Sequence, residues 1–239
     1  MSNPRQIDGS WFGLYDVEGL KLEDGRLCDL GPKYHETFSS QMTLFLQNGS
    51  TLGNLITCLS LSKKKVLIQC NAHISVFNGL QQGQAEIGLL MPKHDLKYDI
   101  YLPIGKEEIM EGLKLHPDAD AVYLTSPTFE GLLCNYKEIR EAIGPDRSLI
   151  IDEAHGSHLY FNTEDSDTLR GALQSGVVDL CVTSVHKNLG SLSGTALINV
   201  GKHSRIDPEQ IKDIFIMINT TSPSPYMLFE IEGNVRSWI

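Results

Sequence analysis

Ser184, His186 and Lys187 are the residues whose types and spacing point most directly to chemistry. They form the segment Ser184-Val185-His186-Lys187, which closely follows the mostly apolar residues 177–182. A lysine that has lost its proton is an amine nucleophile and can hold an aldehyde cofactor as a Schiff base. The serine and the histidine can bind a phosphate group on such a cofactor. The segment alone also fits an ordinary surface lysine between a strand and a loop, so other motifs must decide.

A second candidate is the segment GSTLGN at residues 49–54, which places Ser50 and Thr51 at the predicted start of a helix. The exposed amides and the dipole of a helix N-terminus favour an anion, typically a phosphate. The alternative is an ordinary helix start with Ser50 as the capping residue.

Asp152 begins the tetrapeptide DEAH at the end of an apolar run. A buried carboxylate there can pair with a protonated pyridine nitrogen, and each charge favours the other. The same letters mark a class of helicases, but these need a G-x-x-x-x-G-K-[ST] loop, and neither Gly-Lys pair of this chain fits it. Asp152, His155 and His158 match no strong metal motif, so we predict no metal site. The structural alternative is an aspartate that caps the following turn.

His73 follows another predicted strand, within a polar cluster at residues 71–73, and a further cluster lies at 126–128. An imidazole in such a place can stack on a flat ring. A single histidine is more often a structural residue, so His73 gains weight only together with the other motifs.

Short apolar runs alternate with helical patterns from Met42 onward. We predict strands at 42–47, 66–69, 87–91, 121–125, 149–152, 180–184 and 195–200, and helices at 50–62, 73–82, 106–115, 136–143 and 207–218. This alternation predicts an α/β fold with three layers, α/β/α, and a mostly parallel central sheet. Ligands of such sheets bind outside the carboxyl ends of the strands, where all the clusters above fall.

The composition excludes few classes of protein but favours some. The chain has 239 residues and a net charge of -10, which argues against a nucleic-acid partner. Its five cysteines are scattered without a C-x-x-C pair, which is typical of reduced thiols in a cytoplasmic protein. No apolar run approaches membrane-spanning length, so we expect no membrane partner.

Taken together, the motifs resemble those of the Orn/Lys/Arg decarboxylase family, which are fold-type-I enzymes that depend on pyridoxal 5'-phosphate (PLP). The motifs N-G-S-T-x-G-N, N-x-H-x-S, T-S-P-T-F-E-G, D-E-A-H-G-S-H and S-V-H-K occur in the family's order between Leu46 and Tyr226. The resemblance implies that Lys187 forms the Schiff base and that Asp152 pairs with the pyridine nitrogen. It also implies that His73 and Ala154 lie on opposite faces of the ring. The remaining implied contacts are the phosphate ligands Ser50, Thr51, Ser184 and His186, and His155 near the ring hydroxyl.

The resemblance further implies decarboxylation of a basic amino acid such as lysine, ornithine or arginine. Carbon dioxide would leave while the electrons flow into the ring, and Lys187 or His73 would return a proton to the carbon. It implies a homodimer or higher homo-oligomer, in which the second subunit completes the active site.

Several features differ from the family pattern. Ile74 stands where the family usually has a lysine, Pro225 is inserted before Tyr226, and the family's early Gly-His-Lys stretch has no equivalent. We expect residues 1–40 to be irregular, 41–220 to form the PLP-binding large domain, and 221–239 to begin a C-terminal region whose small domain is missing. These differences leave two alternatives open: a PLP-binding pseudoenzyme or oligomerising subunit without turnover, and another fold-type-I enzyme such as an aminotransferase or an aldol-type lyase.

Overall fold

The computed structural model describes residues 21–23, 26–29, 32–162 and 169–239. The described strands are β1 (Lys21–Glu23), β2 (Arg26–Asp29), β3 (Ser40–Leu46), β4 (Lys65–Gln69), β5 (Glu86–Leu90), β6 (His94–Asp95), β7 (Ile100–Tyr101), β8 (Ala121–Thr125), β9 (Ser148–Glu153), β10 (Leu180–Ser184) and β11 (Ala196–Gly201). The described α-helices are α1 (Pro32–Phe38), α2 (Gly49–Ser60), α3 (Ile74–Gln82), α4 (Lys106–Leu115), α5 (Tyr136–Ile143), α6 (Val185–Asn188), α7 (Pro208–Ile218) and α8 (Pro225–Trp238). Two 3-10 turns, Ser157–Phe161 and Ala172–Ser175, complete these elements.

Seven of these strands form the central sheet, in the order β3-β11-β10-β9-β8-β4-β5. The pairs from β10 to β5 are parallel, whereas β11 runs antiparallel to both of its neighbours. The predicted mostly parallel α/β sheet is therefore confirmed. Each predicted strand is present, and its ends lie within two residues of the prediction.

Helices cover both faces of the sheet, because its central strands are apolar on both sides. On one face, α2, α3 and α7 bury side chains such as Ile56, Val76 and Phe215. On the other face, α1, α4, α5 and α8 form a second apolar core. Successive residues of a strand point to opposite faces, so Ile150 and Ile151 belong to different cores. The molecule thus has the three predicted layers.

The segment before residue 41 contains more regular structure than the sequence analysis indicates. Tyr34 and Phe38 lie four residues apart on α1 and are buried, and the Phe38 ring packs edge-on against Tyr160 with centroids 4.9 Å apart. The expectation of an irregular segment is therefore wrong for residues 32–40. Two apolar residues one helical turn apart are too few to show a helical period in the sequence. Residues 1–20, 24, 25, 30 and 31 lie outside the described residues.

Residues 225–238 form α8, which also packs on the core. Ile231 and Val235 are fully buried, and Tyr34 donates a hydrogen bond to Glu232 Oε1 at 2.6 Å. This helix therefore joins the layer that contains α1, while the expected division of the chain at residue 221 stays a prediction. Within the part of the chain that the structure describes, no helix is both long and apolar enough to cross a membrane.

Candidate active site

The carboxyl ends of β4, β8 and β9 open into one cavity of about 230 Å³. Parallel neighbours end at the same edge of a sheet, so the polar residues that follow them meet there. The lining residues are Ser50, Gln69, Asn71, His73, Thr125, Thr128, Phe129, Glu130, Asp152, Ala154, His155 and Lys187. A larger cavity of about 360 Å³ lies between the start of α5 and residues 170–175, but it contains none of the predicted site residues. The smaller cavity is therefore the candidate active site.

Asp152 is the buried anion of this cavity. It is only 2% exposed, and its two oxygens accept hydrogen bonds from Asn54 Nδ2 at 2.9 Å and from the Ala154 amide at 3.1 Å. Burial raises the pKa of Asp152, while these two donors and the nearby Lys187 and His73 oppose the rise. A cationic partner in the cavity would stabilise the charged form of Asp152, which burial alone disfavours.

Lys187 lies on the short helix α6, directly after β10, and its side chain is exposed at the cavity. Its Nζ is 3.3 Å from Nε2 of His155. Partial burial and the neighbouring Lys187 lower the pKa of His155, so a neutral imidazole faces the amine. Phe129 packs edge-on against the His155 ring, with centroids 5.8 Å apart. Lys187 is therefore placed beside a neutral group and remains accessible from solvent.

The start of α2 is the candidate phosphate site. The helix begins at Gly49, and its capping residue is Asn48, which makes no side-chain capping bond. Ser50 is therefore not the capping residue. Its Oγ instead accepts a hydrogen bond from Ser184 Oγ at 3.2 Å, which joins α2 to the end of β10. The Gly49 amide donates to the Gly194 carbonyl at 2.6 Å, whereas the amides that follow it in the first turn of α2 have no partner within the helix and can bind an anion.

Six of the nine residues predicted to bind the cofactor line the cavity: Ser50, His73, Asp152, Ala154, His155 and Lys187. The other three do not. Ser184 is fully buried behind Ser50, Thr51 is exposed, and His186 uses Nδ1 to donate a hydrogen bond to the Thr195 carbonyl at 2.9 Å. The roles of all nine residues stay predictions.

Half of the lining residues have no role predicted from the sequence: Gln69, Asn71, Thr125, Thr128, Phe129 and Glu130. Asn71 and Thr128 belong to the polar clusters at 71–73 and 126–128. Their position directly after a predicted strand is the signal by which the sequence could indicate them. Gln69 and Thr125 are the last residues of β4 and β8, and the Thr125 amide donates a hydrogen bond to Gln69 Oε1 at 2.8 Å. Their side chains reach the cavity only because these strands are neighbours, which the sequence does not reveal.

Known proteins share both the sequence pattern and the fold. The family model described as Orn/Lys/Arg decarboxylase, major domain, matches residues 14–235. The arginine decarboxylase of Halalkalibacterium halodurans is 28% identical over 201 residues, which cover 83% of this chain and 40% of that protein. The solved constitutive lysine decarboxylase of E. coli has a TM-score of 0.70 at 24% identity, covering 84% of this chain and 29% of that one. A structure described as SPT with PLP has a TM-score of 0.63 at 18% identity, covering 86% of this chain and 49% of that one.

All of these matches cover most of this chain but less than half of each known protein. The chain spans less than half the length of the curated relatives it matches. The two solved structures establish the shared fold, and the family model covers nearly all of the chain. The chain therefore belongs to the Orn/Lys/Arg decarboxylase family and corresponds to its major domain.

Proposed function

We propose that this chain binds PLP and takes part in the decarboxylation of a basic amino acid such as lysine, ornithine or arginine. One observation carries the proposal: the buried carboxylate of Asp152 and the amine of Lys187 line the same cavity. Family membership and the arginine decarboxylase relative support the reaction class. The proposal includes a homodimer or higher homo-oligomer, as the family resemblance predicts.

The residues of the cavity fit PLP group by group. The amine of Lys187 suits the aldehyde, and the first turn of α2 beside Ser50 suits the phosphate. Asp152 suits the ring nitrogen, because a protonated nitrogen would offset the cost of burying this carboxylate. His73 lies at the edge of the cavity, where an exposed imidazole can cover a ring face.

When bound, PLP would accept the electron pair that departing carbon dioxide leaves on the substrate. The chain's own residues then have distinct tasks. Asp152 keeps a proton on the ring nitrogen, because separating the buried charge pair would be costly. Lys187 or His73 returns a proton to the α-carbon. Glu130 is exposed at the cavity, where a carboxylate suits the cationic end of a basic substrate.

The first experiment measures cofactor binding. Purified protein incubated with PLP should develop the visible absorption band of lysine-bound PLP, and Lys187→Ala should abolish this band. Lys202→Ala is the matched control, since Lys202 is also exposed but does not line the cavity. A lack of the band in the unmutated protein would contradict PLP binding.

The second experiment measures turnover. The PLP-loaded protein should release carbon dioxide from at least one of lysine, ornithine and arginine. A visible band without carbon dioxide from any of the three would contradict the decarboxylase and select the pseudoenzyme. Transfer of the amino group to an oxo acid would select the aminotransferase.

A further inference from the structure

We infer that Asn54 and Ser75 are positioning residues that connect Asp152 to His73 through one chain of hydrogen bonds. The hydrogen bonds belong to the chain's own residues, whereas their effect on a cofactor rests on the proposed function. Asn54 lies on α2 and Ser75 on α3, and both side chains are at most 2% exposed. Neither lines the cavity, so both act through the residues that do.

Asn54 is the branch point of this chain of bonds. Its Nδ2 donates to Asp152 Oδ2 and to Ser75 Oγ, both at 2.9 Å, and its Oδ1 accepts from the Tyr123 hydroxyl at 2.7 Å. The amide nitrogen faces Asp152 Oδ2, while the other oxygen of that carboxyl group accepts from the Ala154 amide. Burial raises the pKa of Tyr123 well above its ordinary value, so its hydroxyl keeps the proton that it donates. Every hydrogen-bonding atom of the Asn54 amide is therefore in use.

Ser75 carries the connection to His73. The Ser75 amide donates to His73 Nδ1 at 3.2 Å, and the Ser75 Oγ lies 2.8 Å from the same nitrogen. A backbone amide cannot accept, so Nδ1 of the neutral ring is the acceptor and its proton is on Nε2. The Ser75 hydroxyl then accepts from Asn54 and donates to His73. The chain of bonds thus has one direction, from Tyr123 through Asn54 and Ser75 to His73.

Close packing of α2 against α3 makes this connection possible. Cys58 follows Asn54 by one helical turn, and Gly79 follows Ser75 by one turn. A Cβ on Gly79 would lie 2.7 Å from the Cβ of Cys58, so only glycine allows the helices this close without a shift. At that separation the side chains of Asn54 and Ser75 form a direct hydrogen bond. The same pair of residues therefore contacts both Asp152 and His73.

The test uses the protein without cofactor and measures the tautomer of the His73 ring by nitrogen NMR in mildly alkaline buffer. The unmutated protein should hold its proton on Nε2. Ser75→Ala should shift the tautomer ratio toward Nδ1 about tenfold, the effect of losing one of the two hydrogen bonds to this nitrogen. Asn54→Leu removes only the donor to the Ser75 hydroxyl and should shift the ratio less. Ser60→Ala is the matched control, because this buried serine of α2 donates only to the Thr57 carbonyl, at 2.7 Å. The control should leave the ratio unchanged.

A second measurement titrates PLP into the same variants and follows the visible band. Ser75→Ala and Asn54→Leu should weaken binding about tenfold, and Ser60→Ala should not. No band in any variant, including the unmutated protein, would contradict the proposed function but leave the NMR result valid. An unchanged His73 tautomer ratio in the folded Ser75→Ala protein would overturn the connection itself.

Discussion

Two neighbouring carboxyl groups at the end of β9 have opposite environments. Asp152 faces the cavity, whereas Glu153 faces the other core and is fully buried. Glu153 accepts hydrogen bonds from the Tyr160 hydroxyl at 2.8 Å and from the Ala172 amide at 2.7 Å. Burial raises the pKa of Glu153 to about 8. Of these two adjacent residues, Asp152 is therefore suited to bind a cation, whereas Glu153 favours its protonated form.

Glu153 makes the stability of the protein depend on pH. Its pKa rises from an ordinary 4.5 to about 8 on folding, so between these values the folded state binds a proton that the unfolded chain has released. Its contribution to stability is complete below pH 4.5 and is lost as the pH rises toward 8, by at most about 1.4 kcal/mol per pH unit. Glu153→Gln should remove this slope, because the amide keeps an acceptor for Ala172 and does not ionise.

Urea unfolding at a series of pH values measures the effect. The stability difference between Glu153→Gln and the unmutated protein should grow in favour of the variant from pH 5 to pH 8, near the raised pKa. Glu138→Gln, at an exposed position of α5, is the control and should show no such trend. A pH-independent difference for Glu153→Gln would contradict the raised pKa.

At the residue scale, the sequence predicts groups that follow strands better than groups that support them. Lys187 and Asp152 stand directly after or at the end of apolar runs, so their place at the sheet edge could be inferred. Asn54 and Ser75 occur inside the quoted motifs, but their task depends on contact between two helices. The predicted phosphate ligands Thr51, Ser184 and His186 are not part of the cavity lining, because the orientation of neighbouring side chains depends on the local backbone geometry. Their role stays a prediction.

At the scale of elements, α2 packs closely against the sheet because Gly53 has no side chain. A Cβ on Gly53 would lie 2.5 Å from Val182 Cγ1 on β10 and 2.9 Å from Leu46 Cδ1 on β3. The same helix carries Ser50 at its start and Asn54 one residue after Gly53. The depth at which α2 packs therefore sets the position of two parts of the site at once.

Gly53→Ala should push α2 away from the sheet. We expect a loss of about 1–3 kcal/mol in the free energy of unfolding, the usual effect of overpacking a core, and weaker PLP binding. Gly233→Ala on α8 is the matched control, because its Cβ would meet no atom within 4 Å. The control should gain about 0.5–1 kcal/mol, since alanine is the better helix former. Denaturant unfolding measures both changes. If the free energy of unfolding changed in the same direction in the two variants, the tight packing at Gly53 would be contradicted.

The shortest elements that were not predicted from the sequence share a physical reason, which does not apply to the 14-residue helix α8. The strands β6 and β7 have two residues each, and α1 has only seven, so none shows a periodic pattern. The strands of the central sheet were predictable because buried strands read as continuous apolar runs. The order of the strands and the antiparallel direction of β11 were not predictable, because they depend on pairing between distant segments.

At the scale of the whole molecule, Asp179 joins several elements at the end of the sheet opposite the cavity. The residue is 1% exposed and precedes β10. Its Oδ2 accepts from Arg140 of α5 at 2.6 Å and from the Leu149 amide of β9 at 2.7 Å. Its Oδ1 accepts from the Arg205 amide at 2.8 Å and from Arg205 Nη1 at 3.0 Å. The charged junction that stabilises this end of the strands therefore lies at the opposite edge of the sheet from the candidate active site.

Asp179→Asn should lower the free energy of unfolding by about 3 kcal/mol, because it removes the buried counter-charge of the largely buried Arg140 guanidinium. Denaturant unfolding measures this loss. Asp118→Asn is the control, since Asp118 forms only an exposed ion pair with Lys65 and its loss should change the midpoint little. A loss for Asp179→Asn no larger than for the control would contradict its role as a junction.

The position of β3 has a consequence for the order in which the chain folds. Among the strands that the structure describes, β3 is the first of the central sheet along the chain, yet it pairs there only with β11, the last. About 150 residues must therefore be synthesised before β3 finds its partner. Until then α2 lacks part of the surface that it covers, because Ile198 of β11 lies beneath Gly53. A growing chain on the ribosome can assemble the parallel strands early, but it can seat α2 fully only after β11 has been synthesised, and such late long-range pairing is typical of slow folding with high contact order.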